Sequence, residues 1–137
     1  MQSGIDVVQE LYRMALDGHE EAIAQLVTPD IVWEILESFP HGGIYTGSQA
    51  VFGRFLPKLR ADFHDWKAQP DEFVDAGDTI VALGHYSGTL QTNGVHIVAP
   101  FCHIWTLKNG KIARLRQCAD TAKCAQAMQR SSASLQE

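Results

Sequence analysis

Val98-Ala99-Pro100-Phe101-Cys102-His103-Ile104-Trp105-Thr106-Leu107-Lys108-Asn109-Gly110-Lys111-Ile112 decides the fold, because it runs a long alternating strand into a readable turn. Phe101, His103 and Trp105 share one face of that strand and Cys102, Ile104 and Thr106 the other, since successive side chains point to opposite sides. The turn sets what they meet on the next strand. A two-residue Asn-Gly turn would pair Lys108 with Lys111 and bring Arg114 and Arg116 to the aromatic face. A type I turn with a G1 bulge at Gly110 pairs Leu107 with Lys111 and brings Ala113, Leu115 and Gln117 there instead. Burying two unpaired guanidiniums is strongly unfavourable, so the bulged register is adopted and His103 and Gln117 are expected to face the core.

Outward from this hairpin the chain punctuates itself. Asp75-Ala76-Gly77, Thr92-Asn93-Gly94 and Lys108-Asn109-Gly110 separate extended runs at 63–74, 79–90, 95–107 and 111–119, which predict four antiparallel strands. Upstream, Ser3 and Asp6 resemble a capping box, and Ile5, Val8, Leu11, Tyr12 and Ala15 recur at helical spacing as far as Gly18. A shorter helix is expected over 20–27, ended by Thr28-Pro29. Residues 30–37 predict a strand with Trp33 and Ile35 on one face, and 38–47 a loop. Ser48 is expected to cap a third helix, which Pro57 should kink or shorten by its last turn. Asp120 before Thr121-Ala122-Lys123 marks a last helix. Helices followed by a strand meander predict an α+β fold: three N-terminal helices on a curved antiparallel sheet, forming a cone with a central pocket.

Length and charge narrow the function. At 137 residues the chain is one domain, expected over 1–130 with a flexible tail at 131–137. Eleven basic and sixteen acidic residues give a net charge of −5, and no basic stripe is present, so nucleic acid is excluded as the expected partner. No stretch approaches the roughly 20 apolar residues of a membrane span, and the N-terminus lacks a signal pattern, which predicts a cytoplasmic protein without a membrane partner. Cys102, Cys118 and Cys124 show no C-x-x-C spacing and read as small core residues. His41, His64, His85 and His96 are scattered, so no metal is expected, and no nucleotide or serine-hydrolase motif occurs.

Order and spacing of several segments are similar to the SnoaL-like, ketosteroid isomerase-related branch of the NTF2-like superfamily. They are Asp17-Gly18 after the first helix, Trp33 on the first strand, Tyr45-Thr46-Gly47, Phe73-Val74-Asp75-Ala76-Gly77-Asp78, His103-Ile104-Trp105, Asn109-Gly110-Lys111-Ile112 and Asp120-Thr121-Ala122. The resemblance covers residues 5–128 and implies the cystatin-like cone. It also implies where an active site would lie. The steroid isomerases' first-helix tyrosine, first-strand aspartate and second acid fall at Leu11, Ile35 and Cys102 here, so that mechanism is not expected. Tyr12 is turned from the tyrosine position by about 100°. The acid on the last strand of the polyketide cyclases falls at Gln117, which cannot exchange a proton.

His103 therefore remains as the candidate acid or base, its ordinary pKa of about 6.5 suiting proton transfer, with Asp120 either orienting it or capping the last helix. The alternative for His103 is a structural histidine bonded to a tyrosine or a carbonyl. Trp33, Phe39, Tyr45, Phe52, Phe55, Trp66, Phe101, Trp105, Leu115 and Gln117 are the expected ligand-binding residues, the alternative for the aromatics being that they fill the core. They imply a small apolar or carbonyl-bearing metabolite, handled by acid–base chemistry of an isomerase, cyclase or lyase and needing no cofactor. The competing readings are a non-catalytic binding module and an interaction protein that forms a homodimer through the outer sheet face, around Ile104 and Thr106.

Overall fold

The computed structural model describes the backbone of residues 3–136 and their side chains, Glu20 and 130–136 excepted. Helix α1 spans Gly4–Leu16, α2 Glu20–Ile23 with a 3-10 turn at Ala24–Leu26, β1 Val27–Ile35 and β2 Gly43–Thr46. A broken helix follows: α3 Ser48–Ala50, a π-helical turn Val51–Phe55 and α4 Leu56–Asp62. Then come β3 Phe63–Ala76, β4 Thr79–Leu90, β5 His96–Lys108, β6 Lys111–Ala119 and α5 Thr121–Gln136. The last element runs into the stretch expected as a tail, 131–137, whose side chains and final residue lie outside the described residues. Among the described residues no helix is long and apolar enough to cross a membrane.

Local chemistry accounts for the elements. Ser3 and Asp6 form the expected capping box at α1, each side chain accepting from the other's backbone N–H. Pro57 sits in the first turn of α4, where its missing N–H costs least, directly after the π-helical turn that absorbs the break. The expected loop at 38–47 contains β2, which pairs with β1 through Trp33 opposite Tyr45.

The sheet runs β2-β1-β6-β5-β4-β3. It is mixed rather than wholly antiparallel, because β1 joins β6 in parallel, with Trp33 beside Leu115 and Glu34 beside Arg116. That pairing needs a long crossover, which β2, α3–α4 and strands β3, β4 and β5 supply. It also disposes of the charges: Arg114 donates to Glu34 at 2.6 Å on the outer face while Trp33 turns inward.

The β5–β6 hairpin reaches the expected facing by a different route. Asn109 and Gly110 both have positive φ, 53° and 78°, and Lys108 pairs with Lys111 as a two-residue turn requires. The register then shifts one pair later, where Ala113 is the extra residue between Leu107↔Ile112 and Thr106↔Arg114. The bulge thus lies inside the strand, not in the turn. Beyond it, Trp105 faces Leu115 and His103 faces Gln117.

Gly84, opposite Phe101, shows how closely β3 and β5 press on β4. A Cβ there would lie 2.2 Å from the Gln69 carbonyl oxygen and 2.7 Å from the Phe101 ring. Gly84→Ala is expected to cost at least about 1–3 kcal/mol through overpacking. Gly53→Ala, with only the Gln49 amide at 3.8 Å, should be neutral or stabilise by up to about 1 kcal/mol. Urea unfolding of the two variants checks this; equal midpoints would contradict it.

Candidate functional site

Between the helices and the concave side of the sheet lies a cavity of about 260 Å³. Trp33, Phe39, Phe52, Phe55, Trp66, Trp105 and Leu115, all expected from sequence, line it. A β3 bulge places Trp66: the register slips between His64 and Lys67, with Asp65 at φ 53°, and the indole turns inward over Tyr86 at 4.9 Å. Leu16, Arg60, Asp65 and Lys67 also line it, Arg60 half-buried and the other three exposed.

Three expected residues lie elsewhere. Phe101 sits behind the wall, its ring stacked on His103 at 3.9 Å and 12°. Tyr45 packs on Phe55 and donates to the His41 carbonyl. Asp120 accepts from the Lys123 backbone N–H at the start of α5, and among the described residues it makes no bond to His103. It is the helix cap, because a short carboxylate beside free N–H groups satisfies them locally. Cys118, expected in the core, is exposed; Cys102 opposite it is half-buried and Cys124 buried, and all three are free thiols.

At the inner end of the cavity the polar groups form one continuous chain. Trp105 Nε1 donates to the Tyr12 hydroxyl at 2.9 Å, which lies 2.5 Å from His103 Nδ1. His103 Nε2 lies 2.6 Å from the Tyr86 hydroxyl, which accepts from Gln117 Nε2 at 2.8 Å. The Leu36 backbone N–H donates to Gln117 Oε1 at 3.2 Å and so fixes which end of the amide faces Tyr86. His103 and Gln117 are each 4% exposed.

Tyr12 and Tyr86 are the site residues that the sequence reading missed. Tyr12 does face the cavity, because a helix packed across a cavity presents a wide arc and both Leu11 and Tyr12 line it. Tyr86 shares parity with buried Ile80, Ala82 and Leu90 on β4, and that alternation was the available signal.

Burial governs the titration. It lowers the His103 pKa to about 3, so the imidazole is neutral at physiological pH. Burial likewise raises Tyr12 and Tyr86 above the ordinary phenol range, against the lowering effects of the Trp105 and Gln117 bonds. The site is therefore an uncharged polar chain at the end of an apolar cavity. Among the described residues no group of three or more His, Cys, Asp or Glu is placed to hold a metal. His41 and His85 instead pair with Asp62 and Asp71 near the surface.

The depressed His103 pKa ties stability to pH. Between pH 6.5 and about 3 the unfolded chain binds a proton that the folded chain refuses, so stability falls as pH drops through that window. His103→Gln removes this contribution. Urea midpoints of the wild type should fall more steeply than those of the variant from pH 7 to 5; parallel curves would contradict the assignment.

The SnoaL-like domain family matches residues 8–115. An NTF2-like protein from Burkholderia thailandensis is 28% identical, with a TM-score of 0.89 over 93% of this chain and 98% of its own. An NTF2-like protein of unknown function from Burkholderia pseudomallei is 25% identical, with a TM-score of 0.83 over 92% and 97%. TerC, co-crystallized with polyporic acid, is 25% identical, with a TM-score of 0.80 over 90% and 95%. No curated protein matches by sequence.

Proposed function

Because this chain belongs to the SnoaL-like family, we propose that its cavity binds a small, largely apolar, carbonyl-bearing metabolite and acts on it by cofactor-independent acid–base chemistry. The observation that carries the reading is an aromatic cavity whose inner end is a chain of five polar side chains, Trp105, Tyr12, His103, Tyr86 and Gln117. Apolar walls with a few convergent polar groups are how small-molecule sites are built. The volume bounds the ligand: a 150 Å³ cavity holds benzene, so about 260 Å³ suits one or two fused rings. Co-crystals of the similar TerC with polyporic acid support a ligand site in this fold.

A second reading, a binding protein without turnover, is favoured by the depressed His103 pKa, which leaves no group of ordinary acid–base strength at the inner end. Both readings require the cavity. A cyclic ketone or phenol that binds and is present at 100 times its Kd stabilises the fold by about 2.7 kcal/mol. For a chain of this length that raises Tm by roughly 9 °C. Ala68→Phe, which fills cavity space beside Trp66 and Tyr86, should abolish that shift with little change in the ligand-free Tm. A metabolite library that leaves Tm unmoved would contradict both readings.

The outer sheet face is the proposed homodimer contact. Leu83 and Val98 are exposed there, and Ile104 and Cys102 half-buried, on strands whose inner side chains are already packed. Charged replacement at Ile104 should convert a sizing-column dimer to monomer without altering the ligand-induced Tm shift; a monomeric wild type would contradict the contact.

A further inference from the structure

The hydrogen count along the polar chain leaves one proton over. Trp105 Nε1 and the Gln117 amide nitrogen can only donate, and each donates to a phenol oxygen. A neutral imidazole carries one N–H and one bare nitrogen. Of its two bonds to tyrosine, one is therefore donated by His103 and the other by a phenol. Two phenol protons are present and one is used, so the other has no acceptor among the described residues of the chain. Which tyrosine holds it depends only on the imidazole tautomer. With hydrogen on Nε2, Tyr12 donates to Nδ1 and Tyr86 keeps the free O–H; with hydrogen on Nδ1 the roles reverse. Tyr12, His103 and Tyr86 all line the cavity.

We propose that Tyr12, His103 and Tyr86 form a neutral proton relay that interconverts the keto and enol forms of a small cyclic carbonyl compound in the cavity. This rests on the ligand reading above and names its reaction. From the Nε2–H tautomer, Tyr86 gives its free proton to the carbonyl oxygen and regains one from Nε2. Nδ1 takes the Tyr12 proton, and the Tyr12 oxygen takes one from the carbon next to the carbonyl. The C–H bond breaks and its electron pair forms C=C, while the C=O π pair forms the new O–H bond. One proton enters the protein and one leaves, no charge accumulates, and the imidazole ends as the Nδ1–H tautomer. To reset the chain, Tyr12 gives its free proton to water entering the emptied cavity and takes the Nδ1 proton, Tyr86 passes its proton to Nε2, and the water returns one proton to Tyr86, so no net proton is gained or lost.

Concerted transfer is what this environment demands. A separated phenolate or imidazolium is disfavoured where burial raises both phenols and lowers the imidazole. The Trp105 and Gln117 donors are aimed at the two oxygens that transiently gain negative character. Tyr12 and Tyr86 are the catalytic residues of this scheme, and His103 acts through them.

The test is hydrogen–deuterium exchange next to the carbonyl of 2-tetralone, 2-indanone and cyclohexanone, followed by proton NMR in D₂O, with binding measured separately by Tm shift. The relay predicts saturable acceleration of exchange over buffer for at least one of these ketones. Its kcat should be flat from pH 6 to 8, because no group in the relay titrates there. Tyr12→Phe and Tyr86→Phe should each lower kcat at least tenfold. His103→Gln should do the same with KM within about threefold, since an amide can bond both tyrosines but cannot swap donor for acceptor at fixed atoms. The flat pH profile is read on the wild type and needs no variant to fold. Ketones that bind but exchange at the buffer rate, or a kcat that titrates near pH 6.5, would overturn the relay and leave the ligand reading standing. If none of the ketones binds, both fail.

Discussion

Two short hydrogen bonds hold the His103 imidazole between Tyr12 and Tyr86, and much of the interior is arranged around keeping them. A buried ring nitrogen without a partner costs about 1–3 kcal/mol, so each tyrosine is as necessary to the fold as the histidine. The bonds also tie three elements together. Tyr12 comes from α1, Tyr86 from β4 and His103 from β5, while Gln117 of β6 carries the chain on to the backbone at Leu36. Phe101 stacks beneath the imidazole, and Trp105 stands nearly perpendicular to it at 88°. Burial within that aromatic shell keeps the imidazole neutral.

What turns the first-seen residues toward this centre is strand register. His103 meets Gln117, and Arg114 and Arg116 meet Glu34, only because Ala113 is inserted as a bulge after a two-residue turn. Without that extra residue both guanidiniums would enter the core beside Trp105. A second bulge, at Asp65–Trp66, brings an indole over Tyr86 from the edge strand. Bulges here re-aim side chains at the cavity, the use to which sheets commonly put them.

The strand meander was legible because its turns are spelled out. Gly77, Gly94, Asn109 and Gly110 all adopt the positive φ that their turn motifs announce. The inward face of β5 was legible from charge alone, since two arginines could not be buried opposite the aromatics. The parallel pairing of β1 with β6 was not, because nothing local records which distant strand becomes a neighbour. Tyr86 was obscured by Gly84, Ser87 and Gly88 around it, small residues that interrupt the alternation of apolar side chains. Those glycines leave room for the Phe101 and Trp66 rings, so the packing that makes the site also hid it. Tyr12 was set aside by analogy with a family position one residue away, although the cavity-facing arc of α1 includes both.

Fold and relay both depend on a His103 ring that is neutral and carries a single proton between two phenols. Nitrogen-15 NMR of protein labelled at histidine reads this directly, because protonated and bare ring nitrogens differ widely in shift. The His103 nitrogens are expected to show one neutral ring, with no protonation step, from pH 8 down to pH 5. A doubly protonated His103 appearing near pH 6.5 in the folded protein would contradict it.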